Sequence, residues 1–370
     1  MSEITNGSVA GTFEEAVRRS EALRADFLTH PKRYRVLTGD RPTGPLHIGH
    51  YFGSLKNRVA LQDLGIETFI VIADYQVLTD RDSVESIPEN VRELVLDYLA
   101  AGLDPASGRT HIFCHSHVPA LNHLLVPFLT LVGMGELDRN PTVKEEIDAA
   151  GLTTVSAAMY TYPVHQAADI LFCKGNVVPV GRDQLPHLEL TRKIARRFNQ
   201  RFCQARPPVF PEPEALLSNA PKILGLDGSQ KMSKSRNNAV MLRASADETA
   251  ALVKKAKTDS DRHITYEPDR RPEVANLLLL ASLCGAEDPE RIAARIGDGG
   301  SGVLKTVVTD ALNDTLAPIR ARRALLARDG DIVRDTLRRG IAEANSVANT
   351  TLQEVRAAMN MGYGIDSAQQ

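Results

Sequence analysis

Between residues 34 and 202 the chain alternates short apolar runs with stretches of helical spacing, and no other feature narrows its possible folds so far. The runs stand at 34–37, 68–73, 111–114 and 177–180, each of strand length. Between them Ile48, Phe52, Leu55 and Val59 recur on one helix face until Gly65, a second helix is predicted over about 91–101, and another begins near Pro186. Strands separated by helices pair in parallel, because the crossover must return each strand to the same end of the sheet. The expected fold class is therefore α/β, a doubly wound parallel sheet. Residues 119–168 replace the alternation with a mostly helical pattern and read as a helical insertion. Beyond 245 only helices are predicted, ending in a long helical region over 331–359, so the chain should close with an all-helical C-terminal domain.

Two capping-box spacings sharpen this plan. Thr12 and Glu15 precede a short amphipathic helix marked by Phe13, Val17, Leu23 and Phe27, and Ser245 and Glu248 open the helical half. The divisions drawn are an N-terminal extension over 1–32, an α/β domain over 33–240 and helices over 241–370.

Composition excludes more than it indicates. Length allows two domains, and 44 Lys and Arg against 46 Asp and Glu leave a net charge of -2, so any polyanion must be held by local patches. Cys114, Cys173, Cys203 and Cys284 form no CxxC pair, which argues against a disulfide framework or a cysteine zinc site and fits free thiols in a reducing cytosol. The N-terminus has no secretory pattern, and the most apolar run, LLLLASLC at 277–284, is far too short to span a bilayer. A cytoplasmic protein is expected.

The loop after the first run reads LTGDRPTGPLHIGH over 37–50. Gly39 and Gly44 allow close backbone approach, Pro42 and Pro45 keep the loop out of helix, and the helix start at Ile48 and Gly49 offers unpaired N–H groups suited to a phosphate. Two histidines with no third ligand near in sequence give no reason to expect a protein-held metal. A lysine-rich KMSKS at 231–235, taken by itself, is ordinary solvated surface.

Taken together, HIGH at 47–50 and KMSKS at 231–235 resemble the signature pair of class I aminoacyl-tRNA synthetases. That resemblance implies a Rossmann-like sheet that binds ATP and Mg²⁺. It assigns the adenosine and α-phosphate to Arg41, Pro42, Thr43, Gly49 and His50, with His47 and His50 donating to phosphates. Lys231 and Lys234, carried with Met232, Ser233 and Ser235 on a mobile loop, would stabilise charge on the departing pyrophosphate, so that catalysis is positioning and electrostatics.

The segments TYPVHQAADILF and VVPVGRDQLPHLELTRKIARRFN resemble the tryptophanyl-tRNA synthetases, a similarity that covers most of 35–257. It implies that Tyr162 and Gln184 hold the α-amino group of L-tryptophan, that Asp169 accepts the indole N–H, and that Gly181, Arg182 and Asp183 contact the ATP ribose. Tyr162, Gln166 and Asp169 stand at i, i+4 and i+7, so one helix face directs a phenol, an amide and a carboxylate into one cleft. Gln76, at the end of the second strand, should face the same crevice. A buried carboxylate built to receive an N–H would reject phenylalanine by about 10⁴ or more. The same spacing also resembles the tyrosine-binding helix of tyrosyl-tRNA synthetases, which carry a tyrosine two residues before Gly39, where this chain has Leu37. An apolar residue there suits a larger ring, and tryptophan is weighed above tyrosine. The chain departs from many bacterial members at Arg41, His47, His50 and Gln166, where they have Gln, Thr, Asn and Met. A regulatory paralogue that binds without catalysis is a third reading.

Arg192, Lys193, Arg196, Arg197 and Arg201 share one helix, and Arg320, Arg322, Arg323, Arg328, Arg338 and Arg339 lie in the helical half. Such clusters can neutralise phosphates or pair internally. Only the resemblance makes the helical half an anticodon-reading domain for tRNA(Trp), and it also implies a homodimer.

Overall fold

The computed structural model describes residues 4–79, 84–150, 154–218, 223–228, 232–233 and 236–363. Five strands, β1 Arg35–Asp40, β2 Glu67–Ile72, β3 Thr110–Cys114, β4 Val177–Val180 and β5 Glu214–Leu217, form one parallel sheet in the order β3-β2-β1-β4-β5. Four of them are the expected apolar runs. The fifth, EALL, opens on a charged residue just after Pro213 and offers too little apolar length to be read as a strand. The order reverses between β1 and β4, and a crevice opens beyond the carboxyl ends of strands at such a point.

Both faces of the sheet are buried, with side chains alternating between them. Ile70, Ile72 and Ile112 pack with Leu94, Val95 and Tyr98 of the helix Ile87–Ala101 and with Leu277, Leu304 and Leu312 of the helical half. Leu37, Phe69, Val71 and Phe113 pack on the other side with Val164 and Ala168 of the helix Ala157–Leu171 and with Ile194 and Phe198 of the helix Leu185–Phe202.

The helix that follows β1 runs through Ile48–His50, a π turn at Tyr51–Leu55, and Lys56–Asp63, and Gly65 with φ +77° ends it as expected. Between β3 and β4 lie Pro119–Asn122, Leu125–Leu129, Met134–Asp138, Pro141–Ala150 and Ala157–Leu171. Ser245 and Glu248 close their capping box, the Glu248 N–H donating to Ser245 Oγ at 3.1 Å and the Ser245 N–H to Glu248 Oε2 at 2.7 Å.

Helices Ala246–Lys254, Pro272–Gly285, Pro289–Ile296 and Gly300–Leu326 follow. The final helix, Ile332–Ala358, returns to the sheet and lies against β3, a border strand. Its contact is a stripe of small residues, Gly340, Ala344 and Ala348, and a Cβ at Gly340 would run into the Ile112 backbone. Among the described residues no helix is long and apolar enough to cross a membrane.

Thr12 is not a helix cap. The first helix is Ile4–Thr29, so Thr12 stands within it and its spacing to Glu15 is incidental. The helix covers the other border strand, β5. Buried Ser20 shares its one hydroxyl proton between the Ala16 carbonyl at 2.8 Å and the Ala215 carbonyl at 3.0 Å and accepts the Leu217 N–H at 2.9 Å, while Arg24 donates to the Leu217 carbonyl at 2.6 Å. A side chain thus stands where a sixth strand would otherwise pair. Ser20→Ala strands the Leu217 N–H away from water and should cost about 1–3 kcal/mol, read as a lower urea midpoint at unchanged slope. An unmoved midpoint would mean that the helix covers the edge without this bond.

Candidate active site

The crevice at the ends of β1 and β4 holds a cavity lined by Leu37, Gly39, Gln76, Tyr162, Gln166, Asp169 and Gln184, with Arg41 and Glu146 beside them. All seven residues expected at the amino-acid site are therefore brought together. Gly39 is required there, because a Cβ would run into the Val71 carbonyl of β2. The strand end is further fixed by a buried ion pair, Arg58 Nη1 donating to Asp40 Oδ2 at 2.6 Å and Nη2 to the Gly39 carbonyl at 3.2 Å. Burial opposes the charge on Asp40, but Arg58 and the Tyr98 hydroxyl hold its pKa below the usual carboxylate value.

The floor of the cavity is Asp169, 2% exposed. Its Oδ1 lies 3.0 Å from Nδ1 of His115, a fully buried residue that follows β3. The Tyr75 N–H points at Nε2 of His115 at 3.0 Å, so Nε2 accepts and the ring proton sits on Nδ1, donated to Asp169. Burial opposes protonation of His115, whereas Asp169 and Asp74 favour it and leave its pKa above the ordinary histidine value. In the charged ring Nε2 also carries a proton and faces Asp74 Oδ1 at 3.4 Å in place of accepting the Tyr75 N–H, while Nδ1 keeps its proton and the donation to Asp169 persists. His165 packs tilted against His115, ring centroids 4.7 Å apart, and places Nε2 2.7 Å from Asn122 Oδ1, with burial lowering its pKa.

His115, His165 and Asp169 bring possible ligand atoms within 4.8 Å of one another, the metal-compatible group found among the described residues. Both nitrogens of His115 and one of His165 are engaged in protein hydrogen bonds, so a cation there would have to displace the contacts that hold the floor. Neither histidine was singled out from sequence. The readable signals were His165 four residues before Asp169 and the HSH that follows β3.

Tyr162 sits in a second polar chain. Asn140 Nδ2 faces His187 Nδ1 at 3.2 Å, and His187 Nε2 faces the Tyr162 hydroxyl at 3.0 Å. Burial lowers the pKa of His187 to about 4, so the ring is neutral and donates through Nε2. Burial and the hydrogen-bonded carboxylate of Glu146 push the Tyr162 phenol far above its ordinary value. Glu146, which sequence reading did not mark, thereby brings a negative charge to the cavity wall.

Of the residues expected around ATP, Arg41 lines the cavity. Thr43 turns back by an N–H bond to the Arg41 carbonyl at 2.8 Å, after Pro42 and before Gly44 at φ +139°. The His47 N–H donates to His50 Nδ1 at 3.2 Å and the two rings stack at 3.7 Å. A Cβ at Gly49 would lie 3.0 Å from the His47 ring and 3.6 Å from Met232 Sδ, so the two sequence motifs meet at this glycine. The segment 46–48 is also joined by backbone to residues 240–242, which follow the second motif. Ile48 donates to the Val240 carbonyl at 2.8 Å and Leu242 to the Leu46 carbonyl at 2.9 Å, around a bridge between His47 and Met241. Ser233 donates its N–H to Asn238 Oδ1 at 2.8 Å. Lys231, Lys234 and Ser235 lie outside the described residues. Gly181 precedes the short turn Arg182–Gln184 at the end of β4, where the Asp183 carbonyl accepts from Thr142 Oγ1 at 2.9 Å.

Several of the arginines counted for nucleic acid are engaged by the chain itself. Arg323 pairs with Asp97 at 2.7 Å and Glu93 at 2.6 Å, Arg322 donates to the Ala100 carbonyl at 2.9 Å, and Arg192, Arg196 and Arg197 pair with Glu214, Glu212 and Glu136. Asp97 also accepts the Leu46 N–H at 2.9 Å, which ties the backbone of the 37–50 loop to the helix Gly300–Leu326 through Arg323.

Residues 29–317 match the family described as tRNA synthetases class I (W and Y). The chain is 42% identical over 341 residues to a tryptophan–tRNA ligase of Streptococcus agalactiae, covering 89% of this chain and 98% of that one. A tryptophan–tRNA ligase of Lactococcus lactis is 42% identical over 340 residues with the same coverage. The fold is similar to a crystal structure of Campylobacter jejuni tryptophanyl-tRNA synthetase complexed with ADP and tryptophan, with a TM-score of 0.75 at 28% identity, covering 88% of this chain and 99% of that one.

Proposed function

Because this chain belongs to the class I synthetases of the tryptophan and tyrosine type, and within them to the tryptophan–tRNA ligases, we propose the following division of work within its cleft. The enzyme joins L-tryptophan to tRNA(Trp) in two steps. The tryptophan carboxylate attacks the α-phosphorus of ATP and pyrophosphate leaves. A ribose hydroxyl of the terminal tRNA adenosine then takes the acyl group and AMP departs.

Tryptophan occupies the cavity with its ring N–H on Asp169 and its ammonium toward Tyr162 and Gln184, where Glu146 adds the opposite charge. Leu37, Gly39, Gln76 and Gln166 complete the walls. ATP lies over the helix start at 47–50 and the turn at 181–183, with Arg41, Pro42 and Thr43 on the loop between. The observation that most supports this arrangement is a buried carboxylate at the cavity floor with one oxygen already taken by an N–H donor. The tyrosine alternative falls with the relatives at 42% identity, both tryptophan–tRNA ligases.

Mg²⁺ takes oxygen ligands, and the imidazole-rich group around Asp169 does not suit it. The ion would arrive on the ATP phosphates and neutralise part of their charge, while the protein's own positive charge at the pyrophosphate is that of Lys231 and Lys234. The helices beyond 240 are assigned to the anticodon arm, and two chains form a homodimer in the cytoplasm. Val126 and Met134, each 69% exposed between β3 and β4, supply apolar surface for that contact.

Amino-acid-dependent ATP–pyrophosphate exchange tests the activation step. Exchange with tryptophan and not with tyrosine or phenylalanine is expected. Exchange with tyrosine alone would overturn the amino-acid assignment, and none with any of the three would overturn the activity.

A further inference from the structure

The contacts around the cavity floor assign a part to a residue that the reaction scheme leaves unused. We infer that His115 is the positioning residue that presents the Asp169 carboxylate to the substrate ring, a reading that depends on Asp169 being the ring N–H acceptor. A carboxylate at the end of a side chain can rotate, and an acceptor that rotates recognises poorly. Here Nδ1 of His115 holds Oδ1 at 3.0 Å, which leaves Oδ2 as the oxygen for the substrate. The hold is charge-assisted and lies in a site with almost no solvent, where such bonds are strongest.

His115 is itself fixed from three elements. The Tyr75 N–H meets Nε2 at 3.0 Å, the His165 ring packs tilted against it with centroids 4.7 Å apart, and Asn122 Nδ2 donates to the His115 carbonyl at 2.8 Å. Asn122 also binds His165, so the two rings share one clamp. Tyr75 stands next to Gln76, a wall of the same cavity, and His115 therefore links floor to wall. Two jobs are thus combined in one ring: donation to Asp169 through Nδ1, and support of the 75–79 segment through Nε2.

Asparagine and glutamine separate them. The amide nitrogen of Asn reaches the place of Nδ1, and the amide end of Gln reaches the place of Nε2. The measurement is ATP–pyrophosphate exchange by the full chain with tryptophan and with its benzothiophene analogue, in which sulfur replaces the ring N–H. His115→Gln should lower the kcat/KM ratio of tryptophan to analogue by about tenfold to a hundredfold, through KM for tryptophan with kcat little changed. His115→Asn should keep the ratio within about threefold of the parent. Asp169→Ala is the control. If Asp169→Ala collapses the ratio while His115→Gln keeps it, or if Asn loses it as fully as Gln, His115 supports structure only and the inference is wrong. If Asp169→Ala leaves the ratio unchanged, the reading of Asp169 itself fails, and the inference with it.

Discussion

Asp169→Ala should reduce the preference for tryptophan over phenylalanine from about 10⁴ to about 10² or less. The reason lies in what each substrate leaves unpaired. In the proposed arrangement tryptophan satisfies the second oxygen of a carboxylate that is 2% exposed, whereas phenylalanine leaves that oxygen unpaired. In the variant the penalty for phenylalanine vanishes and tryptophan's own N–H loses its acceptor, so the ratio falls from both sides. Size alone then discriminates, and methylene-scale differences in an apolar pocket are worth only about 10–200-fold. The substitution also leaves His115 Nδ1–H buried without Asp169, which lowers stability. A ratio of kcat/KM values measured on one preparation is insensitive to that loss. A variant as selective as the parent would remove Asp169 from ring recognition.

Lys231→Ala and Lys234→Ala should each slow adenylate formation in a single turnover by about 10²–10³ while leaving tryptophan affinity in the absence of ATP unchanged. Negative charge moves onto the pyrophosphate as the bond to the α-phosphorus breaks, so an ammonium there is felt more in the transition state than before it. The neighbouring residues bear on this. Met232 is buried against the start of the 47–50 helix and Ser233 is bonded to Asn238, so the centre of the motif is anchored beside the other motif. The chain contains no tryptophan, which lets the fluorescence of bound tryptophan report affinity directly. A variant with unchanged activation rate would remove that lysine from the chemistry. A loss of tryptophan affinity equal to the loss of rate would show that it acts on the ground state.

What could be read from the sequence was what is local. Four strands were visible as apolar runs, and the cavity residues were reached chiefly through motifs that resemble a family, with Tyr162, Gln166 and Asp169 also sharing one helix face. What escaped depends on distant partners. β5 is a strand because β4 and the first helix flank it, and nothing in EALL says so. Likewise His115 meets Asp169 across 54 positions, and Tyr162 meets His187 across 25. The partners of the arginines escaped for the same reason: Arg323 looks like surface charge until the fold brings it to Asp97 and Glu93, 226 and 230 positions away. Thr12 failed differently, since a capping pattern says nothing once the helix has already begun upstream.

The two border strands of the sheet are covered by the first and the last helix of the fold, Ile4–Thr29 on β5 and Ile332–Ala358 on β3. During synthesis the β5 edge has its cover waiting, whereas β3 leaves the ribosome with most of the fold still unmade behind it. Parallel sheets form slowly, and an uncovered strand is a template for joining other chains. Completion of the last helix is therefore the step that makes the nascent enzyme safe from its neighbours. A message cut short before residue 332 would yield a chain with every expected amino-acid-binding residue and an open β3, suited to chaperones and proteases rather than to translation.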